Sequence, residues 1–117
     1  MNLSSKILCF IFFVSFNLHS QKKSTFYYDS GSVKSHGYMV NGKKEGVWKF
    51  YYENGNIKER GIFKSDIKDG SWVYHTKEGK LDYYIEYIEG DKIYQQWYNN
   101  KNARRYFVRY QPDSVPN

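Results

Sequence analysis

Carboxylates and histidines are the side chains of this sequence that could carry out acid–base, nucleophilic or metal chemistry. Glycosidase chemistry needs two carboxyl groups at a fixed separation, and the carboxylates are spread through the chain: Glu45, Glu53, Glu59, Asp66, Asp69, Glu78 and Glu89. Most of them fall at predicted turns or on solvent-facing strand positions, where solvated charges are common. We therefore expect no catalytic carboxylate pair, and a small carbohydrate-acting hydrolase is kept only as an alternative.

Two histidines, His36 and His75, follow residues 1–20. Neither lies in a recognisable nucleophile motif with a serine or cysteine. A zinc site at His75 would need about three further ligands, and no spacing supplies them. The glycines form no phosphate-binding loop in front of a helix. The sequence thus predicts no catalytic residue, no metal site and no cofactor.

Aromatic side chains, which make up 21% of the sequence, are the remaining candidates for a functional surface. Four residues have the strand parity opposite to that of Trp48 and Trp72, and they form the candidate binding face: Tyr27, Tyr51, His75 and Tyr84. If exposed, they would make an aromatic ladder suited to a protein, a glycan or peptidoglycan. The alternative is that these rings pack against the curled sheet or the C-terminal hairpin.

A repeat of 24 residues organises the elements that must position these rings. The copies run over 26–45, 46–69 and 70–90. Glycines and aromatic residues recur in register, and the predicted structural positions are Gly31, Gly37, Gly46, Trp48, Gly55, Gly61, Phe63, Gly70, Trp72 and Gly79. We expect the first copy to lack its initial strand. We expect the third to pack differently, because Ile85 replaces a glycine.

Alternation of side chains predicts two strands in the middle copy, on either side of Asn54-Gly55. This dipeptide predicts a two-residue type I′ turn. The turn sets four cross-strand pairs: Tyr52 with Ile57, Phe50 with Glu59, Trp48 with Gly61 and Gly46 with Phe63. The third copy repeats them: Thr76 with Leu81, Tyr74 with Tyr83, Trp72 with Ile85 and Gly70 with Tyr87. The Trp48 indole is expected to cover Gly61, which it faces, whereas Trp72 faces Ile85 and has no such glycine.

Loops at 41–45 and 65–69 connect one hairpin to the next. The predicted fold class is therefore all-β, an antiparallel meander of repeated β-hairpins in a single sheet. Two further strands, at 92–98 and 103–110, predict a capping hairpin over 91–110, which repeat arrays need at an end. The tail at 111–117 contains both prolines and is predicted to be disordered.

The middle copy resembles the bacterial variant of the MORN repeat (membrane occupation and recognition nexus). The matching pattern is Gly46-x-Trp48-x-Phe50-Tyr51-Tyr52-x-Asn54-Gly55-x-Ile57-Lys58-x-x-Gly61-x-Phe63, followed by Asp69-Gly70-x-Trp72. It looks like the repeat of the antitoxin-labelled YwqK-type proteins, and the resemblance covers residues 26–90. It implies a MORN-like β-hairpin meander that interacts with a protein partner or, as in other MORN proteins, with lipid surfaces and copies of itself. It implies no catalytic residues.

Residues 1–20 carry the features of a secretory signal peptide. Lys6 is their single charge, 7–16 is an apolar run, and Ser20/Gln21 is the expected cleavage bond. The run is shorter than the ~20 residues that span a bilayer, although an uncleaved anchor is an alternative. Cys9, the one cysteine, belongs to this segment. We therefore predict export to the periplasm, the cell surface or the medium, with no disulfide and no transmembrane helix after signal removal.

The formal charge of +6 is concentrated at the ends of the chain. Residues 24–91 hold ten basic and eleven acidic side chains, whereas 92–117 hold five basic and one acidic. A near-neutral body argues against a nucleic-acid partner. We expect an exported, non-enzymatic protein-interaction or scaffold module with an unidentified protein partner, or an envelope surface or glycan. The alternatives are an envelope antitoxin or immunity protein that neutralises a toxin, and a carbohydrate-binding protein.

Overall fold

The computed structural model describes residues 20–98, which form one antiparallel sheet of seven strands in chain order. The strands are β1 Lys22–Tyr27, β2 Val33–Val40, β3 Lys43–Tyr51, β4 Ile57–Lys64, β5 Ile67–His75, β6 Leu81–Ile88 and β7 Asp91–Trp97. The predicted all-β meander of hairpins is confirmed. The predicted signal segment up to residue 19, the second strand of the predicted capping hairpin and the predicted disordered tail lie outside the described residues.

Two adjacent rows of directly opposed residues cross the whole sheet and define its two faces. One row, on what we call the Trp face, consists of Phe26, Ser35, Phe50, Glu59, Tyr74, Tyr83 and Trp97. The other, which we call the open-face row, consists of Thr25, His36, Lys49, Arg60, Val73, Tyr84 and Gln96. Opposed residues share a face, and chain neighbours point to opposite faces. The second row therefore lies on the other side of the sheet, the open face.

The core lies on the Trp face and consists of rings packed side by side. Trp48 and Trp72 are 0% exposed, and Phe63 lies between them with its ring centroid 4.8 Å from that of Trp72. Phe50 and Tyr74 pack against this cluster. The described strands form one sheet without a second layer, so these large aromatic side chains make up its buried core.

Each tryptophan covers a glycine, but Trp48 does not cover the predicted one, and none was predicted for Trp72. Trp48 is paired in register with Gly61, as expected. Its indole, however, lies over Gly37 on the opposite neighbouring strand, where a Cβ would come within 2.5 Å of the indole carbons. The indole Nε1–H donates to the carbonyl of Tyr38 at 2.9 Å. Trp72 covers Gly61 in the same way.

A bulge explains why the prediction was wrong. The ladder between β2 and β3 skips Gly37, so that residues 46–48 of β3 stand opposite this one glycine. Gly46, the first of them, has a φ of 70°, which glycine adopts without a steric penalty. The bulge directs Trp48 across Gly37 towards β2. β4 and β5 repeat the arrangement with Gly61, Gly70 and Trp72.

The hairpin loop of the middle copy has three residues, 53–55, rather than the predicted two. Gly55 N–H donates to the carbonyl of Tyr52 at 2.9 Å, and Tyr52 N–H donates to the carbonyl of Asn56 at 2.8 Å. Only Gly55 in this loop has a positive φ, of 91°. This is a type I turn followed by a left-handed glycine. Asn54 keeps a negative φ because its Oδ1 accepts from Asn56 N–H at 3.0 Å.

The three-residue loops change which residues are paired next to the loop, both between β3 and β4 and between β5 and β6. Ile57 is opposite Tyr51 rather than Tyr52, and Leu81 is opposite His75 rather than Thr76, so those two predicted pairs are wrong. The other pairs are confirmed: Phe50 with Glu59, Trp48 with Gly61, Gly46 with Phe63, Tyr74 with Tyr83, Trp72 with Ile85 and Gly70 with Tyr87. Loops at Gly31 and Gly79 repeat the hydrogen bonds of the loop at Gly55.

Type I′ turns occur instead between the hairpins, where longer loops were predicted at 41–45 and 65–69. Val40 is opposite Lys43, and Lys64 is opposite Ile67, so each connection has only two residues. Both residues of each turn have positive φ: Asn41 with Gly42, Ser65 with Asp66 and Glu89 with Gly90. The primed turn fits the right-handed twist of the strands that it joins.

The two ends of the array differ from the middle. The first copy does possess its initial strand, β1, contrary to the prediction, because strand pairing with β2 needs neither the glycine nor the tryptophan of later copies. The prediction for the third copy is confirmed. Ile85 leaves no bare backbone to cover, and it pairs directly with Gln95 of β7, the register of this ladder shifting only between Glu86 and Tyr87. Trp97 packs against Tyr83 instead, with ring centroids 4.4 Å apart and planes tilted by 49°.

Candidate functional site

The open face carries the residues that were predicted to bind a partner. Tyr84 belongs to the open-face row. Tyr51 and His75 are two residues beyond members of that row on β3 and β5, so alternation places them on the same face. Tyr27 ends β1 in the equivalent position and is 62% exposed. The four residues therefore share a face, but their surroundings differ.

Tyr51 forms one unit with His36. The two rings are nearly parallel, with centroids 5.5 Å apart and planes 10° apart. His36 Nε2 and the Tyr51 hydroxyl are hydrogen-bonded at 2.7 Å. This contact half-buries the two rings and holds them in one orientation. Together with Thr25 and Val33 they line an open depression of about 470 Å³.

His75 and Tyr84 lie together in a second open depression of about 480 Å³. Its other lining residues are Arg60, Ser71, Val73, Leu81, Glu86 and Tyr98. Burial, followed by the nearby Arg60 guanidinium, lowers the pKa of His75 and so favours the neutral imidazole. Its Nδ1 is buried and has no hydrogen-bond partner among the described residues. Ser71 donates to the Glu86 carboxylate across the rim.

Tyr84 is packed by the strand that follows it. Its ring contacts those of Tyr94 and Tyr98, with centroids 5.4 Å and 5.7 Å away. Its hydroxyl donates to Gln96 at 3.1 Å. The hydrogen bond with Tyr94, followed by burial, raises the pKa of Tyr84 to about 12. Tyr84 thus packs against residues 94–98, in and just after the first strand of the predicted C-terminal hairpin, in line with the alternative interpretation of the aromatic ladder.

The two depressions are related by the sequence repeat. Lys23, Thr25, Val33 and His36 of the first are each 48 residues, or two repeats, before Ser71, Val73, Leu81 and Tyr84 of the second. The residue one repeat after His36, and one repeat before Tyr84, is Arg60. His36 and Arg60 were missed as site residues, although the 24-residue spacing that aligned the glycines also aligns them with Tyr84.

Two cations lie at the centre of the open face. Lys49 and Arg60 are directly opposite each other on β3 and β4. No ion pair is formed by either side chain within residues 20–98. Two residues further along the same two strands, Val47 and Ile62 are also opposite each other, and these two residues are 56% and 43% exposed. The face thus combines a basic pair with an adjacent apolar pair.

The carboxylates have structural contacts that the sequence did not predict. Glu45 accepts from Ser65 N–H at 2.8 Å, and Asp66 accepts from Lys44 N–H at 2.7 Å, so both connect one turn to the next repeat. Glu59 lies on the Trp face and pairs with Lys68 at 3.3 Å. In the described part of the chain no three His, Cys, Asp or Glu side chains are grouped as metal ligands.

Comparison of the chain with protein-family models, with curated proteins and with solved structures finds no match. The MORN-like motif therefore stays a prediction from the sequence. Within residues 20–98 no helix is long and apolar enough to cross a membrane.

Proposed function

We propose that this chain is an exported, non-enzymatic interaction module that binds a protein partner with its open face. The observation that carries the proposal is the asymmetry of the sheet. One face buries its tryptophans, while the other presents oriented rings, a basic pair and an apolar pair. All strands of residues 20–98 belong to one sheet, so no second layer of described strands covers this face. Exposed apolar groups beside polar ones are typical of interaction surfaces.

Capture of a partner tests this proposal. The mature protein, immobilised through its C-terminus, is used to capture proteins from the envelope fraction of its own cells, and retained proteins are identified by mass spectrometry. The variant Tyr51→Ser/Tyr84→Ser should lose most of the captured partner. Its circular dichroism should stay that of a folded sheet, since neither ring belongs to the tryptophan core.

Phe26→Ser is the matched control, because Phe26 is a half-exposed ring on the Trp face. It should retain the partner. Equal capture by all three proteins would place the binding surface elsewhere and contradict the proposal. A captured toxin would identify the antitoxin or immunity alternative, and retention on a glycan column would identify the carbohydrate-binding one.

Export is tested separately. The charged start, the apolar run and Ser20 predict that the mature chain begins at Gln21, one residue before β1. N-terminal sequencing of the protein from the envelope or the medium should give Gln21 as the first residue. A mature protein that retains Met1 would contradict cleavage and favour the membrane anchor.

A further inference from the structure

We propose that the partner segment bound by the open face is acidic, and that Lys49 and Arg60 bind its carboxylates. This inference rests on the proposed function and names the chemistry of the partner. Its basis is a pair of like charges that the fold places side by side and leaves unpaired within residues 20–98.

The two cations are held close together by the ladder. Directly opposed residues in an antiparallel pair have Cα atoms about 4.5–5.5 Å apart, and like charges in such positions destabilise a sheet. Lys49 and Arg60 occupy such positions. On the other side of Lys49 the next residue of the row is His36, so carboxylates of the sheet itself do not flank the pair along the row. A ligand with negative charge would remove this repulsion.

Several other charged side chains of the open face have polar partners within the sheet. Lys64 pairs with Asp69 at 3.1 Å, and the Glu45 carboxylate accepts from the N–H of Ser65. Glu86 accepts from Ser71. Lys49 and Arg60, by contrast, are two adjacent cations at the centre of this face that form no ion pair within residues 20–98.

Charge complementarity also decides between the possible ligands of the open face. Residues 99–117 of the same chain contain four basic side chains and one acidic one, so they carry the wrong charge for this face. A second copy of the chain, placed open face to open face, would bring its own Lys49 and Arg60 close to those of the first copy, and the like charges would repel. Polyanions with uniform charge, such as nucleic acids and anionic membranes, are disfavoured by the carboxylates of Glu45, Asp69 and Glu86 on the same face.

The apolar pair specifies the form of the acidic partner. Val47 and Ile62 are each two residues along the strand from Lys49 and Arg60, which corresponds to about 7 Å. An extended segment whose acidic and apolar side chains alternate on one face at the same spacing would contact both pairs. A protein segment can keep this spacing, whereas lipid headgroups cannot.

A labelled peptide of alternating Glu-x-Val-x units is the probe, and the same peptide with Lys in place of Glu is its charge-reversed counterpart. The mature protein should bind the acidic peptide and not the basic one. Lys49→Gln/Arg60→Gln should weaken binding of the acidic peptide by roughly tenfold and flatten its salt dependence. The melting temperature of this variant should equal or exceed that of the wild type, because the like-charge contact is gone.

Lys77→Gln/Lys80→Gln is the charge-matched control, since both residues are exposed at a hairpin loop away from the row. It should bind the acidic peptide within about twofold of the wild type. The inference is overturned if the wild type does not bind the acidic peptide, if both double variants weaken binding equally, or if phosphatidylglycerol vesicles are bound in its place.

The captured partner separates this inference from the proposed function. If Tyr51→Ser/Tyr84→Ser loses the partner and Lys49→Gln/Arg60→Gln keeps it, the open face binds a partner but not through carboxylates. If both variants keep it, the proposed function fails as well.

Discussion

Trp72 and Gly61 are matched so closely that a Cβ on the glycine would lie 2.3 Å from the indole carbon Cδ2. Trp48 and Gly37 repeat the contact two strands away. Real Cβ atoms do not approach a ring so closely, and the indole is fully buried with its Nε1–H bonded to the carbonyl of Ile62 at 3.1 Å. The core of this sheet therefore requires glycine at positions 37 and 61 as much as it requires the two tryptophans.

Gly61→Ala should accordingly destabilise the protein by about 1–3 kcal/mol, the usual cost of overpacking a core. For a domain of this size, that corresponds to a fall in melting temperature of about 4–8 °C per kcal/mol. Thermal unfolding followed by circular dichroism measures the effect. Ile62→Ala, the next residue and half-exposed on the open face, is the control and should cost less. An unchanged melting temperature for Gly61→Ala would disprove the contact.

Gly55→Ala should also destabilise the protein, for a different reason. Nothing lies within 4 Å of a Cβ at this position, but its φ is 91°. A left-handed conformation costs a non-glycine residue about 1–2 kcal/mol. Chemical denaturation should show that loss with an unchanged m-value. Asn41→Gly, in a turn where Asn41 already has a φ of 51°, should be neutral or stabilising. The opposite ranking of these two variants would contradict the turn assignments.

Trp72→Ala should cost about 3–5 kcal/mol and leave so small a domain largely unfolded. Tyr27→Ala is the comparison, since Tyr27 is a mostly exposed ring, and its cost should be within about 0.5 kcal/mol. Both variants are measured by urea denaturation. Similar losses from the two substitutions would mean that the two faces are not as different as the structure shows.

Alkaline conditions should destabilise the protein through its half-buried tyrosines. Burial raises the pKa of Tyr74 and Tyr87 to about 12, from 10.0 for a free tyrosine. A raised folded-state pKa of an acid means that its neutral form is stabilised. That contribution is complete below pH 10 and is lost as the pH rises through about 12. Phenolate absorbance should show tyrosines that titrate together with unfolding in this window. Complete tyrosine ionisation near pH 10 with the fold intact would contradict their burial.

Acid should weaken the turn that Asp69 supports. Its pKa is lowered, first by the hydrogen bond from Glu89 N–H and then by Lys64. A lowered folded-state pKa stabilises the protein above the unfolded value of 3.8, and this contribution is lost as the pH falls through the folded value. Asp69→Asn should therefore show a smaller loss of melting temperature below about pH 4 than the wild type. The control Asp29→Asn, in an exposed loop, should behave like the wild type.

Much of the fold follows from local patterns in the sequence. Side chains alternate with a period of two, and glycines and aromatic residues recur every 24 residues. Alternation assigns Trp48 and Tyr51 to opposite faces without knowledge of the loops, because a strand has only two sides. The pairing of Trp48 with Gly61 follows too, since a three-residue loop that contains a bulge leaves the more distant pairs unshifted.

The contacts between copies of the repeat could be known only from the structure. The Asn54 side chain is also held by the next repeat, since its Nδ2 donates to the carbonyl of Lys77 at 2.8 Å. The glycine that each indole covers depends on a bulge against the preceding hairpin. The predicted register already places Lys49 opposite Arg60, but only the structure shows that neither cation forms an ion pair within residues 20–98. Local propensity describes one strand at a time, whereas these features are set by the energy of packing one strand against two others.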